Sequence, residues 1–340
     1  MSLSRRRRPA CTRFRSMVAA AVLTTTGFLA AQAGAQVSNA IQSAQRDFNA
    51  GNYAVAISTL QPLVRQSSSN AETFFWLGRS YYEISDYDSA IAQLEKAASL
   101  DAKNSVYQQW LGRAYGGKAD RDRSFSLAKK VKKQFQLAVA LNPSNIEARR
   151  DLEEYCLDAP WIVGGSKDEA LEQVNAIAAI DPVQGHLARA LFAREALKKP
   201  EEAENEIRKV LAADPNKPDP YFEAAEFFQA QNQSADMAAA IQAAARVSPN
   251  DARLAYYRGV AAVLANNNPG EAERNLKSYL ASTPQRSDWP SHAHARDWLG
   301  RLYESQGKRA EAAEQYRAAL QLNPKLKDAQ NRLSRLEKSR

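Results

Sequence analysis

One string returns along this chain at a fixed interval. Trp76-Leu77-Gly78-Arg79-Ser80-Tyr81 recurs 34 residues later as Trp110-Leu111-Gly112-Arg113-Ala114-Tyr115, and again as Trp298-Leu299-Gly300-Arg301-Leu302-Tyr303. Further patterns end in Asn142-Pro143, Ile180-Asp181-Pro182, Asp214-Pro215 and Asn323-Pro324. A period of this length marks a stack of units, none of which buries its apolar face alone. Proline cannot continue a helix, so each terminal Asn-Pro or Asp-Pro closes one unit and opens the next. Strand signals are absent throughout, and the expected fold class is all-α.

These residues resemble the tetratricopeptide repeat, a helix-turn-helix unit of 34 residues. The best copy runs from Ala293 to Leu326 through Leu299, Gly300, Tyr303, Ala312, Tyr316, Ala319 and Pro324. Residues 71 to 104 match through Leu77, Gly78, Tyr81, Ala90, Leu94 and Ala97, with Ala102 where proline is usual. Residues 218 to 251 keep Ala225, Phe228, Ala244 and Pro249, and the first unit, about 37 to 70, has Gly51, Tyr53, Ala56 and Leu60. Weaker units fall near 105 to 145, 146 to 184, 185 to 217 and 252 to 284. The resemblance implies a helical-hairpin superhelix (an α-solenoid) of about eight helix pairs over residues 36–326. Residues 327–340 then form a polar C-terminal capping helix.

The basic excess sits at the start. The chain has 340 residues and a formal net charge of +8. Arg5, Arg6, Arg7, Arg8, Arg13 and Arg15 precede an apolar run from Met17 to Ala31 and then Gln32-Ala33-Gly34-Ala35. This order describes a cleavable signal peptide over residues 1–35, cut after Ala33 or Ala35. The run falls short of the about 20 apolar residues that span a bilayer. Without those six arginines the chain has 40 basic against 38 acidic residues. Nucleic acid is therefore not an expected partner, and no stable membrane span is expected after cleavage. Arg7-Arg8-Pro9 follows the arginine pair where a twin-arginine signal has apolar residues. The general secretory route is expected, with a periplasmic destination in a Gram-negative cell. Cys11 precedes the apolar run and is no lipid-attachment site; Cys156 reads as a small buried hydrophobe.

Two insertions break the period. Gly116 to Arg123 enters the third unit and leads into Lys129-Lys130-Val131-Lys132-Lys133, read as the wet face of an amphipathic helix rather than an anionic patch. Asp158 to Ser166 enters the fourth unit. Gly164-Gly165-Ser166-Lys167 lacks phosphate-loop spacing, and Ser166 with Glu169 fits a capping box. Trp161, the candidate residue of this insertion, is expected to pack the longer loop against its neighbours; the alternative is a solvent-facing anchor for a partner. The insert, with Lys167-Asp168, Asp181-Pro182 and Gly185-His186, resembles an arrangement recurring in secreted bacterial tetratricopeptide proteins.

No nucleophile, base and orienting group can be assembled from the sequence, so no enzyme activity and no cofactor are expected. His292-Ala293-His294 lacks a third ligand, so no metal site is expected. The resemblance implies that the first helix of each pair lines a concave groove. It places Phe75, Arg79, Tyr82, Gln109, Arg113, Arg150, Glu154, Asp297 and Arg301 toward a ligand. Arg79 and Arg113, one repeat apart beside Phe75 and Tyr82, make an Arg-aromatic patch suited to an acidic segment or terminal carboxylate of a protein. The competing reading pairs both arginines internally, for instance with Glu83 or Asp101. The Lys and Asn set by which other members of the family clamp acidic chaperone tails is not reproduced. The expected function is an exported scaffold for proteins or peptides; the alternative is a cell-envelope accessory factor binding glycan or an envelope synthase.

Overall fold

The computed structural model describes residues 36–66, 69–282 and 286–338. The signal segment expected at residues 1–35 lies outside the described residues.

Eight antiparallel helix pairs follow one another, and among the described residues there is no strand. The first pair is α1 (residues 36–49) with α2 (Tyr53–Gln66). Then come α3 (Ala71–Glu83) with α4 (Tyr87–Leu100), and α5 (Ser105–Asp122) with α6 (Phe125–Leu141). α7 (Ile146–Asp158) pairs with α8 (Lys167–Ile180), and α9 (Pro182–Phe192) with α10 (Pro200–Ala212). α11 (Asp219–Ala230) and α12 (Ser234–Val247) precede α13 (Arg253–Leu264) and α14 (Pro269–Ser282). The last pair, α15 (His292–Ser305) and α16 (Arg309–Leu322), is closed by α17 (Lys327–Lys338).

The helix starts are written locally. Asn70, Asn104 and Asn145 cap α3, α5 and α7 by accepting backbone N–H bonds, satisfying donors that a helix start leaves unpaired. Asp181 closes α8 and caps α9, whose first residue is Pro182. Close packing within a pair requires a minimal side chain halfway along the first helix. A Cβ at Gly78 would lie 2.6 Å from Leu94, and one at Gly112 would lie 2.5 Å from Phe135. Opposite them, Ala56, Ala90, Ala203, Ala272 and Ala312 are fully buried.

The stack curves. First helices of consecutive pairs touch each other from α3 to α15, and no comparable contact joins second helices among the described residues. Closer first helices put them on the inside of the bend. Arg150 on α7 reaches Glu223 on α11, two pairs on, with bonds of 2.8 and 2.6 Å. The loop before α15 returns to the second pair, where Ser287 donates from both its backbone N and Oγ to the Glu83 carboxylate at 2.9 Å.

Both insertions have defined forms. Gly116 to Arg123 does not loop out; α5 continues through Asp122, and α6 is correspondingly long. Lys118 and Arg121 on this extension pair with Asp88 of α4. In the other insertion Ser166 does cap α8, accepting from Glu169 N at 3.3 Å. The Glu169 carboxylate does not return the bond; it is drawn to Lys132 and Gln136 of α6. Trp161 does not pack the loop. Its side chain is 85% exposed, and Val163, 4% exposed, is the residue turned inward. The single 3-10 turn Trp161–Val163 can direct only one of its apolar side chains at the core. Gly164, at φ 108, completes that turn in the left-handed region.

Candidate peptide-binding groove

Three of the groove arginines follow the same Trp-Leu-Gly string, yet their surroundings differ. Arg113 on α5 is held by Asp151 of α7, with Nε at 2.7 Å and Nη2 at 2.9 Å, and Glu147 stands 3.5 Å away. Gln109 joins the cluster by donating to Asp151 at 2.8 Å. Arg301 donates to Asp297 and to Asp328 of α17, both at 2.8 Å. Arg150, from a different position of the repeat, forks onto Glu223 and also donates to Gln184 at 3.1 Å. These cations are spent inside the fold. Their acids are Asp151, Glu147, Asp297, Asp328 and Glu223; the suggested pairing with Glu83 or Asp101 does not form.

Arg79 has no hydrogen-bond or ion-pair partner among the described residues, and its Nε is buried without an acceptor. Four aromatic rings surround it. The guanidinium carbon lies 4.1 Å from the ring centre of Trp110, 4.6 Å from Phe48, 4.7 Å from Trp76 and 5.6 Å from Phe75. Cation–π attraction holds the charge in place without satisfying its N–H donors. Phe75 is itself buried and packs on Tyr107, 4.7 Å between ring centres. Tyr82 meets Trp110 edge-on at 5.6 Å, and burial pushes its hydroxyl up to about 12. Phe75, Arg79 and Tyr82 are therefore brought together, with Gln109 and Arg113 on the adjoining helix, while Arg301 lies in the last pair.

The two neighbouring arginines differ in charge stability. Burial lowers the Arg79 guanidinium to about 10, so it remains protonated at neutral pH. Burial works the same way on Arg113, but the Asp151 carboxylate overrides it and raises that group. The cause of the difference is readable by position. Six residues after its capping asparagine, α7 carries Asp151; at the same place α5 carries Trp110. Two residues after the cap stand Glu147 in α7 and Val106 in α5. Arg79 therefore meets Trp110 on the next helix, with Val106 at the register position of Glu147, where Arg113 meets two carboxylates.

Sequence reasoning passed over Glu153. It stands eight residues after the α7 cap, the position of Gly78 in α3 and Gly112 in α5. Only 1% of it is exposed, and neither carboxylate oxygen has a hydrogen-bond partner. Burial pushes this carboxyl up to about 8, partly opposed by Arg150, with Glu154 and Glu223 adding to the rise. Glu154 beside it is also raised, again chiefly by burial. A charged residue at a glycine position was the available signal.

The loop before α15 brings Asp288 and Arg286 within electrostatic reach of Arg79, the first favouring its charge and the second opposing it. Arg286 grips Asp288 through two bonds of 2.9 Å, and Trp289 lies over Arg253 at 5.3 Å. Cys156 is buried, and that burial pushes its thiol up to about 12, which leaves it inert as a nucleophile. His186 shares a 2.6 Å hydrogen bond with Glu206, and His294 bonds the capping Ser291 at 2.7 Å. Among the described residues, no three His, Cys, Asp or Glu side chains gather where they could hold a metal ion.

The architecture defines the class: a curved α-solenoid of helical hairpins lined by its first helices. Family models described as tetratricopeptide repeat match residues 41–105 and 293–326, the latter the same span as the best copy read from the sequence. The chain is a tetratricopeptide-repeat protein. Solved structures similar to it include MamA, 22% identical over 50% of this chain and 92% of that one, with a TM-score of 0.40. The Cut9–Hcn1 hetero-tetramer of APC/C is 13% identical over 86% of this chain and 54% of that one, with a TM-score of 0.49. A tetratricopeptide repeat protein from Parabacteroides merdae is 14% identical over 80% of this chain and all of that one, with a TM-score of 0.48. No curated protein matches the chain.

Proposed function

We infer that this protein is an exported, non-enzymatic scaffold that binds a partner protein by taking an acidic side chain or terminal carboxylate at Arg79. The tetratricopeptide-repeat fold suggests a protein–protein interaction scaffold, and proteins of this family are generally non-catalytic. The observation that carries the finer reading is the Arg79 guanidinium, fixed among four rings with Glu83 and Asp288 acting on it only from a distance and no carboxylate bonded to it among the described residues. A guanidinium fork accepts a carboxylate through two parallel bonds. The rings exclude water around it, so the pair forms where the effective dielectric is low. Arg113 and Gln109 act as the frame that holds α5 and α7 together, rather than as ligand contacts. Phe75 and Trp110 are both buried, so neither offers an open face to a sugar ring. Export rests on the arginine cluster, apolar run and small residues at the start of the sequence, and no helix among the described residues is long and apolar enough to cross a membrane.

The experiment is selection from a displayed library of random peptides on the mature protein at low salt. Selected peptides are expected to share an Asp, a Glu or a free C-terminal carboxylate. Their binding should weaken as salt rises and fall with Arg79→Ala. Selection of uncharged or basic peptides, indifferent to Arg79→Ala, would contradict the reading. Sequencing of the native protein's N-terminus tests export: a start at Gly34 or Gln36 is expected, and a retained Met1 would refute it.

A further inference from the structure

The two insertions, separate in sequence, meet on one surface. The Tyr155 hydroxyl sits between the Ala128 carbonyl of α6 and the Val163 carbonyl of the insertion turn, at 2.7 and 2.8 Å. Lys132 Nζ donates to the Gly164 carbonyl at 2.7 Å. These bonds seat the turn alongside the stretch of α6 between Ala128 and Lys132. The turn presents Trp161 and Ile162 to solvent, 85% and 58% exposed. One turn earlier on α6, Phe125 is 66% exposed. Residues 125, 129 and 133 follow one another at helical spacing, so Phe125, Lys129 and Lys133 share a stripe beside the turn.

Large apolar side chains so exposed, grouped together, mark a contact surface rather than scatter. The charge beside them decides which kind. Arg123, Lys129 and Lys133 have no ion-pair partner among the described residues. Of the acids near in sequence, Asp122 is taken by Arg121 and Lys118 and Glu169 by Lys132, while Asp120 and Asp158 have no ion-pair partner among the described residues. The patch thus joins a tryptophan, a phenylalanine and an isoleucine to three cations that no ion pair holds. Aromatic rings settle at the headgroup level of a bilayer while neighbouring lysines meet anionic phosphates. A soluble acidic protein would satisfy the cations but not require a protruding Trp161-Ile162 pair.

We propose that the surface formed by Trp161, Ile162, Phe125, Arg123, Lys129 and Lys133 docks the protein on an anionic membrane face. This site is independent of Arg79 and leaves the groove free for its partner. The test is cosedimentation of the mature full chain with vesicles of phosphatidylglycerol mixed with phosphatidylcholine, against vesicles of phosphatidylcholine alone. Binding to the anionic vesicles only, weakened by salt, is expected. Lys129→Gln with Lys133→Gln should lower partitioning about 25-fold, at roughly fivefold for each cation. Trp161→Ala should lower it about tenfold or more, and Lys277→Gln on α14 should leave it unchanged. As a check that needs no variant, brominated lipid should quench part of the tryptophan fluorescence. Equal binding to neutral vesicles, no vesicle binding, capture of an acidic protein without any vesicle binding, or indifference to both substitutions would overturn the proposal.

Discussion

The second and fourth repeats each carry an ionisable group without a partner, and they resolve the problem in opposite ways. In α3 the surplus is a cation, Arg79, wrapped in aromatic rings and still charged near neutral pH. In α7 it is an acid, Glu153, buried without a hydrogen bond and held neutral by the same loss of water. Between them, Arg113 with Asp151 and Arg150 with Glu223 are matched. Guanidinium is so strong a base that burial cannot remove its proton at pH 7, whereas a carboxyl gains a proton readily. Burial therefore silences the unmatched acid and leaves the unmatched base able to receive an anion.

The largest effect that sharpens this contrast is a pH dependence from Glu153. Its folded-state carboxyl titrates near 8, above the ordinary 4.5. Below pH 4.5 both folded and unfolded chains hold the proton, and nothing is lost. As pH rises from 4.5 towards 8 the unfolded chain releases it first, so folding stability falls. Between pH 5 and 7 the loss should reach about 2.5 kcal/mol. Glu153→Gln should remove this slope in urea unfolding followed at both pH values. A parallel decline in the variant would show that Glu153 is solvated or paired.

Next in size is Arg113→Ala, which strands Asp151 and Gln109; it should cost about 2 kcal/mol in unfolding midpoint experiments. Arg79→Ala breaks no ion pair, and the loss of its desolvated cation–π contacts should cost about 1 to 2 kcal/mol, less than Arg113→Ala. If the two substitutions destabilised equally, Arg79 would be a structural ion like Arg113. The smallest expected effect comes from Val106→Glu, which places an acid where Glu147 serves Arg113. It should reduce acidic-peptide affinity about threefold to tenfold with little change in stability, on the scale of one partly exposed pair; unchanged affinity would show that position 106 does not reach Arg79.

Much of this was legible in the chain. The Trp-Leu-Gly-Arg strings set the stack and its close packing, because a site where any Cβ would come within 2.6 Å of a leucine admits only glycine. The N-caps were equally local. The groove was legible only as far as which helices line it. Whether Arg79 or Arg113 is free depends on residues one repeat ahead, and comparing Val106 and Trp110 with Glu147 and Asp151 would have separated them. Trp161 was misjudged because a three-residue turn cannot bury both its first and third side chains, and periodicity is silent about which one wins. The meeting of the two insertions depends on Tyr155 and Lys132 reaching across from other elements, a tertiary fact with no local signature.

The central claim is that Arg79, unlike Arg113, Arg150 and Arg301, is an anion receptor. Calorimetric titration of one selected acidic peptide into the wild-type protein, Arg79→Gln and Arg113→Gln tests it directly. The account predicts a loss of tenfold or more in affinity for Arg79→Gln, measured below its melting temperature, with a smaller drop in melting temperature than Arg113→Gln shows. It predicts a lower melting temperature, with binding retained below it, for Arg113→Gln. Full affinity in Arg79→Gln, or loss only in Arg113→Gln, would contradict it.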